Sequence, residues 1–439
     1  MNAAQIYKLY IEKNYTICTD SRSKEIKNSI FFAIKGDYFD GNDFAEEAIH
    51  KGAKIAIVDN PNIQHESCVF VQNTLETLQV IACMHRERYQ IPIIAITGSN
   101  GKTTTKDLIK TILSSKYNTL STKGNLNNHI GLPLSLLSLR DHHEIAILEM
   151  GANHIGEIRK LCEIAKPTYG IITNIGSAHI GEFGGMNNII KAKNELFNYL
   201  KENAKSIIYN DSDKIIKKLV NNYNKAESYT IPIYTTEKND HQSAHFRYRC
   251  TPFISIDYTK NINIQTKILG KYNINNIMSA IKTATLFKIS DQQIQNSLAN
   301  ISLKNNRSEF IQKIKNDIIL DAYNANPTSM SMSILNFIDI NMHLQYKKML
   351  FILGDMLELG VQELEYHQKI VNLLEKNNIK ECILVGNIFQ KVTCKYKYIK
   401  VGALDECKAI IEKSNIEGYS ILIKGSRKLQ LEKVITKIL

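Results

Sequence analysis

The clearest chemistry in the sequence lies in Thr97-Gly98-Ser99-Asn100-Gly101-Lys102-Thr103-Thr104. The apolar run Ile91-Pro92-Ile93-Ile94-Ala95-Ile96 precedes it, and Leu108, Ile109, Ile112 and Leu113 follow at helical spacing. Small residues between a buried strand and a helix let backbone N–H groups approach phosphate oxygens. The helix N-terminus adds positive potential there. Lys102 has the reach for β- and γ-phosphates, and the Thr103 hydroxyl suits Mg²⁺. The loop is shorter than the common G-x-x-x-x-G-K-T form. An ordinary strand-to-helix turn is the bland alternative, but it requires no Gly-Lys-Thr. The pattern therefore predicts binding of a nucleoside triphosphate.

Three further residues fall where such a site could use them. Glu149 ends the apolar run Ile145–Glu149, and a carboxylate there is costly without a cation. Beside a nucleotide loop it is a natural Mg²⁺ ligand, although an isolated strand-end Glu is more often a solvated edge residue. His179 lies in Asn174-Ile175-Gly176-Ser177-Ala178-His179, just past a third apolar run; a lone His is usually structural, and its position is what favours metal. Lys193, in Lys191-Ala192-Lys193-Asn194-Glu195-Leu196-Phe197, reads by default as a surface lysine on a helix.

The elements that must position these groups are those of an α/β protein. Ile91–Ile96, Ile145–Glu149 and Tyr169–Asn174 read as buried parallel strands, with Thr97, Glu149 and Asn174 at their C-terminal ends. In open α/β sheets ligands bind at that edge. Upstream, Ser29–Ile34 and Lys54–Val58 read as strands, and Phe44–Lys51 and Thr74–Tyr89 as helices. Residues 228–269 alternate like antiparallel ribbons, and a helix is expected around Asn275–Leu286. Beyond about residue 303, strands at Ile318–Asp321, Met349–Leu353, Cys382–Val385 and Ser420–Lys424 alternate with helices that include Gln362–Glu375. This second layered region is expected to be Rossmann-like. The chain thus divides at 1–88, 89–302 and 303–439.

Bulk composition agrees. The 439 residues exceed one ordinary core at roughly 100–200 residues per domain. A hydrophobic content of 44% and a charged content of 22% are globular values. No run is long and apolar enough to span a bilayer, and no basic-then-apolar leader is seen, so a cytoplasmic protein without membrane insertion is expected. The eight cysteines include no C-x-x-C pair, which argues for reduced thiols over zinc. The net charge of +12 comes from lysines spread along the chain. That distribution excludes a nucleic-acid groove and suits a strongly anionic small substrate.

The strings T-G-S-N-G-K-T-T, L-E-M-G-A, N-I-G-x-A-H and A-K-x-E-L-F, in this order and spacing, resemble the Mur ligases of peptidoglycan synthesis. The resemblance covers the whole chain. It implies three domains: a small α/β UDP-binding domain, a central P-loop-type ATPase domain with a mostly parallel sheet, and a C-terminal Rossmann-like domain. Other segments resemble the members that add D-alanyl-D-alanine to a UDP-N-acetylmuramoyl tripeptide. They are Gly124-Asn125-Leu126-Asn127-Asn128 with Gly131-Leu132-Pro133, and Asp321-Ala322-Tyr323-Asn324-Ala325-Asn326-Pro327 with Ser329-Met330. Gly354-Asp355-Met356-Leu357-Glu358-Leu359-Gly360 and Lys424-Gly425-Ser426-Arg427 complete the set.

Roles follow from the resemblance residue by residue. ATP and Mg²⁺ are the implied cofactors. Gly98, Ser99, Asn100, Gly101, Lys102, Thr103 and Thr104 would hold the phosphates. Glu149 and His179 would bind metal with Thr103, and Lys193 matches a lysine carbamylated in some members, whose new carboxylate binds metal. Asn273 and Asn276 match a nucleotide-contacting pair, although the family often has His-Asn where this chain has Tyr272-Asn273. Arg307 and Asp321 would meet phosphates and ribose. Asp20-Ser21-Arg22, Lys35-Gly36 and Asp40-Gly41-Asn42 match the UDP-binding domain, with Asn42 replacing a usual His. Asn125, Asn127, Asn128, Asn324 and Asn326 would contact substrate. A monomer is expected.

The nearest rival is the family member that adds a diamino acid one step earlier. Its diaminopimelate form is associated with Asp-Asn-Pro-Arg in the third domain. Here Asp59-Asn60-Pro61-Asn62 lies in the first and lacks the arginine. Folylpolyglutamate synthase shares the ATPase core but lacks the UDP-binding domain. A nucleotide-gated binding protein without catalysis would need a broken loop or a lost Glu149.

Overall fold

The computed structural model describes residues 1–235, 246–259, 262–303, 306–312, 315–344, 348–414 and 416–438. Its residues group into two compact units. One comprises 1–95, 117–152 and 156–170; the other comprises 96–116, 153–155 and 171–439.

The first unit begins with helix Ala3–Glu12, held at its start by a reciprocal pair: Asn2 Oδ1 accepts from the Gln5 N–H, and Gln5 Oε1 from the Asn2 N–H. A four-stranded parallel sheet follows, in the order Thr16–Cys18, Ser29–Phe32, Ile55–Val58, Cys68–Phe70. Every residue of Ser29–Phe32 is buried, as expected for a central strand covered on both faces. Asn73 caps helix Thr74–Arg88 through the Glu76 N–H. Strands Thr119–Ser121 and Ile145–Glu149 pair in parallel in the same unit.

The glycine loop grows out of Ile93–Thr97, a strand buried throughout. This strand belongs to a six-stranded sheet ordered Ala226–Tyr229, Ser206–Asn210, Tyr169–Ile172, Ile93–Thr97, Ile145–Glu149, Thr119–Ser121. The Thr168 N–H donates to Ile93 O and the Thr173 N–H to Thr97 O, so the two chain segments run in parallel.

A second six-stranded sheet carries the C-terminal part. Its order is Glu309–Gln312, Asp317–Leu320, Tyr419–Lys424, Lys348–Gly354, Cys382–Val385, Ile399–Val401. Only the first pair is antiparallel. Alternate residues feed two cores. Ile319, Phe351, Leu353, Leu384 and Leu422 pack on one face; Ile318, Ile352, Ile383, Ile421 and Ile423 pack on the other. Both faces are apolar because helices cover both, which explains the continuous apolar runs in the sequence.

The ribbon expected over 228–269 is partly different, and part of it lies outside the described residues. Ala226–Tyr229 pairs in parallel with Ser206–Asn210. Ile233–Tyr234 pairs in parallel with Arg247–Cys250, and only the later pairings, to Phe253–Thr259 and on to Ile262–Leu269, are antiparallel. Alternation marks a half-buried strand but does not name its neighbour. No described helix is long and apolar enough to cross a membrane.

Candidate active site

The glycine loop has the backbone its sequence calls for. Gly98 has φ +142°, and a Cβ there would lie 2.0 Å from Thr173 Oγ1. Gly101 caps helix Lys102–Leu113 in the left-handed region, with φ +80°. Its absent Cβ would meet Asn276 Oδ1 at 2.5 Å. Neither position admits a side chain without displacement.

Segment Thr173–Gly176 holds the loop in shape. Ser99 Oγ donates to Gly176 O and accepts from the Gly176 N–H, both at 2.8 Å. The Asn100 N–H donates to Asn174 Oδ1 at 3.0 Å, while Asn174 Nδ2 and Thr173 Oγ1 donate to Asn100 O at 2.8 and 2.6 Å. Lys102 curls back over the loop, and its Nζ donates to Gly98 O at 2.8 Å. An ammonium kept at the loop mouth is placed for incoming phosphate oxygens. Thr103 and Thr104 are buried at the first turn of the helix.

Asn273 and Asn276 lie beneath that helix, both buried. Thr105 Oγ1 donates to Asn276 Oδ1 at 3.1 Å, Asn276 Nδ2 to Asn273 Oδ1 at 2.8 Å, and Asn273 Nδ2 to Leu269 O at 2.7 Å. This chain of amides braces the loop helix from behind. Tyr272, where a histidine was usual, donates or accepts at Ser308 Oγ at 2.6 Å, and burial pushes its phenol up.

Asn326 and Thr328 bring the C-terminal part to the loop. Asn326 Nδ2 donates to Asn100 Oδ1 at 2.7 Å, and Thr328 Oγ1 lies 2.8 Å from Ser177 Oγ. Nearby, Lys424 Nζ donates to Asp321 Oδ2 at 2.6 Å and to Asn324 O at 3.3 Å. Asp321 Oδ1 accepts from the Ser308 N–H at 3.0 Å. The Arg307 guanidinium stacks 3.6 Å over the Tyr323 ring. Asn324 is exposed.

His179 has φ +56° and opens helix Ile180–Phe183. Its Nδ1 lies 2.7 Å from Glu358 Oε2 and 3.4 Å from Glu182 Oε2. Lys193 is buried in helix Met186–Glu202, with Nζ 5.3 Å over the Phe183 ring. It is not the surface lysine that its default reading would give.

In the first unit, Glu149 is buried at its strand end. Asn127 Nδ2 donates to its Oε1 at 2.8 Å, and its N–H donates to Thr122 Oγ1 at 3.0 Å. Asn128 Oδ1 accepts from the Gly131 N–H at 2.9 Å, holding the start of helix Gly131–Leu137, and Asn125 is exposed. Lys35 Nζ lies 3.6 Å from Asp40 Oδ2 and 3.4 Å from Asp59 Oδ1. Asn42 is buried; its Nδ2 donates to Asp40 and Asp59 at 2.6 and 2.8 Å, and its Oδ1 accepts the Asp59 N–H at 3.1 Å. These bonds hold the turn in shape. Gly41 packs where a Cβ would lie 2.4 Å from Ile34 O. Ser21 Oγ donates to Glu47 at 3.4 Å, and exposed Arg22 forms a fork to Asp20 through Nε and Nη2 at 2.9 and 3.0 Å.

Comparison with known proteins matches this architecture along its length. Three family models fit: the Mur ligase family catalytic domain over residues 15–90, the Mur ligase middle domain over 96–284, and the Mur ligase glutamate ligase domain over 306–427. The chain is 34% identical to the UDP-N-acetylmuramoyl-tripeptide–D-alanyl-D-alanine ligase of Bacillus subtilis, over 96% of this chain and 93% of that one. The chain belongs to the Mur ligase family.

Solved Mur ligases agree with this Mur ligase in three dimensions. A crystal structure of MurF from Acinetobacter baumannii superposes with a TM-score of 0.81 at 28% identity, covering 100% of this chain and 98% of that one. MurF from Thermotoga maritima in complex with ADP gives 0.80 at 25% identity, covering 97% of each.

Several residues at this Mur ligase's loop were not assigned from sequence. Thr173 and Asn174 shape the loop, Lys424 holds Asp321, and Glu182 and Glu358 face His179. Glu358 and Lys424 lie in segments that carried the family resemblance, which was the available signal. Glu182 had none beyond following His179 by one helical turn.

Proposed function

We propose that this Mur ligase joins D-alanyl-D-alanine to a UDP-N-acetylmuramoyl tripeptide, with ATP converted to ADP and phosphate. The substrate carboxylate attacks the γ-phosphorus and ADP leaves. The dipeptide amine then attacks the acyl carbon of the acyl phosphate, phosphate leaves, and the amine proton passes to solvent. An amide from a carboxylate needs a better leaving group than oxide, and the acyl phosphate supplies one.

Phosphates lie on Gly98, Ser99, Asn100, Gly101, Thr103 and Thr104, and Lys102 offsets charge on the transferred phosphoryl group. Arg307 and Asp321 meet phosphate and ribose. Asn273 and Asn276, bonded to each other, act by bracing the helix that carries Lys102. Ser21, Arg22, Lys35, Asp40, Gly41 and Asn42 form the UDP end. Asn125, Asn127, Asn128, Asn324 and Asn326 serve the peptide substrates.

The residues present fit Mg²⁺. Buried Thr103 and Glu149 offer oxygen donors, and the ligand atoms of His179, Glu182 and Glu358 all lie within 4.8 Å of one another. We assign Thr103, Glu149, His179 and a carbamylated Lys193 to metal. Bound Mg²⁺ supplies charge neutralisation between the carboxylate and phosphate anions. We further infer domain borders at 1–88, 89–302 and 303–439, a monomer, and a cytoplasmic site of action.

The observation that carries the reading is the seat of Asn326 on Asn100. The Asp321–Met330 segment, which resembles the dipeptide-adding ligases, is fixed directly on the phosphate loop. The test is an amine panel of D-Ala-D-Ala, L-lysine, meso-diaminopimelate and L-glutamate, each with ATP and UDP-muramoyl peptides. Only D-Ala-D-Ala with the tripeptide should give product. A site that pairs the dipeptide's amide and terminal carboxylate leaves those partners unmatched by a single amino acid. Faster joining of a diamino acid to the dipeptide precursor would move the assignment one step earlier.

A further inference from the structure

We propose that Glu358 and Glu182 complete, with His179, a divalent-cation site whose third ligand is supplied by the C-terminal Rossmann-like region. The proposal rests on the reading of His179 as a metal-facing group and adds two ligands to it.

The geometry is that of converging donors without hydrogen bonds to one another. His179 Nδ1 lies 2.7 Å from Glu358 Oε2 and 3.4 Å from Glu182 Oε2. Yet this nitrogen is buried and makes no hydrogen bond of acceptable angle. An ordinary histidine–carboxylate pair would align N–H with oxygen. All three ligand atoms fall within 4.8 Å of one another, although two of the residues carry like charges that repel. A cation bound among them removes that repulsion and uses the nitrogen lone pair. Both carboxylates are solvent-accessible, so an ion can enter. One nitrogen and two carboxylates suit Mn²⁺ well and Mg²⁺ acceptably.

The backbone brings these residues together at a cost. His179 and Glu358 both adopt positive φ, at +56° and +66°. The Gly181 N–H donates to Glu358 O at 3.3 Å, and a Cβ on Gly181 would lie 2.6 Å from Gly360 N. Two glycines thus permit the helix start at 180 to meet the 354–360 segment. The cation site would be whole only with that segment in place, which links ion binding to the position of the C-terminal part.

The test is Mn²⁺ titration of the full chain, free of nucleotide, followed by electron paramagnetic resonance. Wild type should bind, and His179→Ala, Glu358→Gln and Glu182→Gln should each weaken binding about tenfold or more. Glu365→Gln, on the exposed face of a neighbouring helix, should change nothing, and thermal melts should confirm that each variant is folded. If His179→Ala weakens binding but the two Gln variants do not, the added ligands are wrong while the metal role of His179 stands. If none of the three weakens it, both fall.

Discussion

Asn326 Nδ2 donates to Asn100 Oδ1 at 2.7 Å, and this contact fastens the start of helix Pro327–Leu344 to the glycine loop. The Asn100 backbone is in turn held by Thr173 and Asn174. The loop is therefore shaped from two directions, by the sheet edge below it and by the C-terminal part above. Asn326→Ala removes this contact together with the bond from the Ser329 N–H to Asn326 Oδ1 at 2.9 Å, and leaves the lower hold in place. Its effect should fall on turnover, by about tenfold, corresponding to the roughly 1–2 kcal/mol that one buried hydrogen bond of this kind contributes. Steady-state phosphate release with saturating ATP measures it, and an unchanged rate would show that the contact is incidental.

If Lys102 faces the transferred phosphoryl group as proposed, Lys102→Ala should lower turnover by at least about 10³ through loss of that cation. The contacts of Lys102 Nζ to Gly98 O and Ser99 O, at 2.8 and 3.3 Å, give it a resting place that phosphate oxygens can take over. A folded variant keeping more than a tenth of the wild-type rate would remove Lys102 from the phosphate site. Gly98→Ala should be more severe in another way. Its Cβ would press on Thr173 Oγ1, so ATP affinity and thermal stability should both fall.

Much of this machinery was legible in the sequence where one physical demand dominates. Ile145–Glu149 and Cys382–Val385 are strands with the bounds their apolar runs indicate, since strands covered on both faces leave no ambiguity of period. The strand–loop–helix form of the glycine loop was legible because small residues separate an apolar run from a helical period. What stayed hidden depends on pairings made by the fold. Beside its local bond to Asp40, the Asn42 amide bonds Asp59, 17 positions away, which no local spacing announces. Glu358 stands far from His179 in sequence, and the close approach of Gly181 to Gly360 accompanies their meeting. Asp355 seemed part of a signature string; its carboxylate accepts the N–H groups of Ile388 and Phe389, both at 2.9 Å, and so shapes the fold.

Acid should loosen the first unit through His85. Its ring is fully buried among Tyr7, Tyr10 and Tyr89, with Nε2 3.1 Å from Leu139 O and Nδ1 3.2 Å from Tyr7 Oη. Burial lowers its pKa from 6.5 to about 4. The unfolded chain therefore binds the proton more readily across that window. Stability from this group is fully present above pH 6.5 and is lost as pH falls toward 4. The loss should be on the order of 3 kcal/mol at most. Urea midpoints measured from pH 7 to pH 4.5 test it. His85→Phe should flatten the pH slope, and an equal slope in both proteins would assign the acid sensitivity elsewhere.

Lys193 offers the sharpest test of the metal chemistry. Lys193 is 3% exposed, and its Nζ sits above the Phe183 ring. Carbamylation would replace the ammonium by a carboxylate end, which is the group a divalent cation recruits. Lys193→Ala should then lose most activity without losing the fold, because the alanine suits the helix. A short-chain carboxylic acid or bicarbonate should restore part of the rate by placing a carboxylate in the vacated volume. Rescue should saturate with acid concentration and should not occur in the Lys102→Ala variant, whose defect lies in a different charge. If Lys193→Ala is fully active, the lysine is a packing residue, and the metal is held by the remaining ligands.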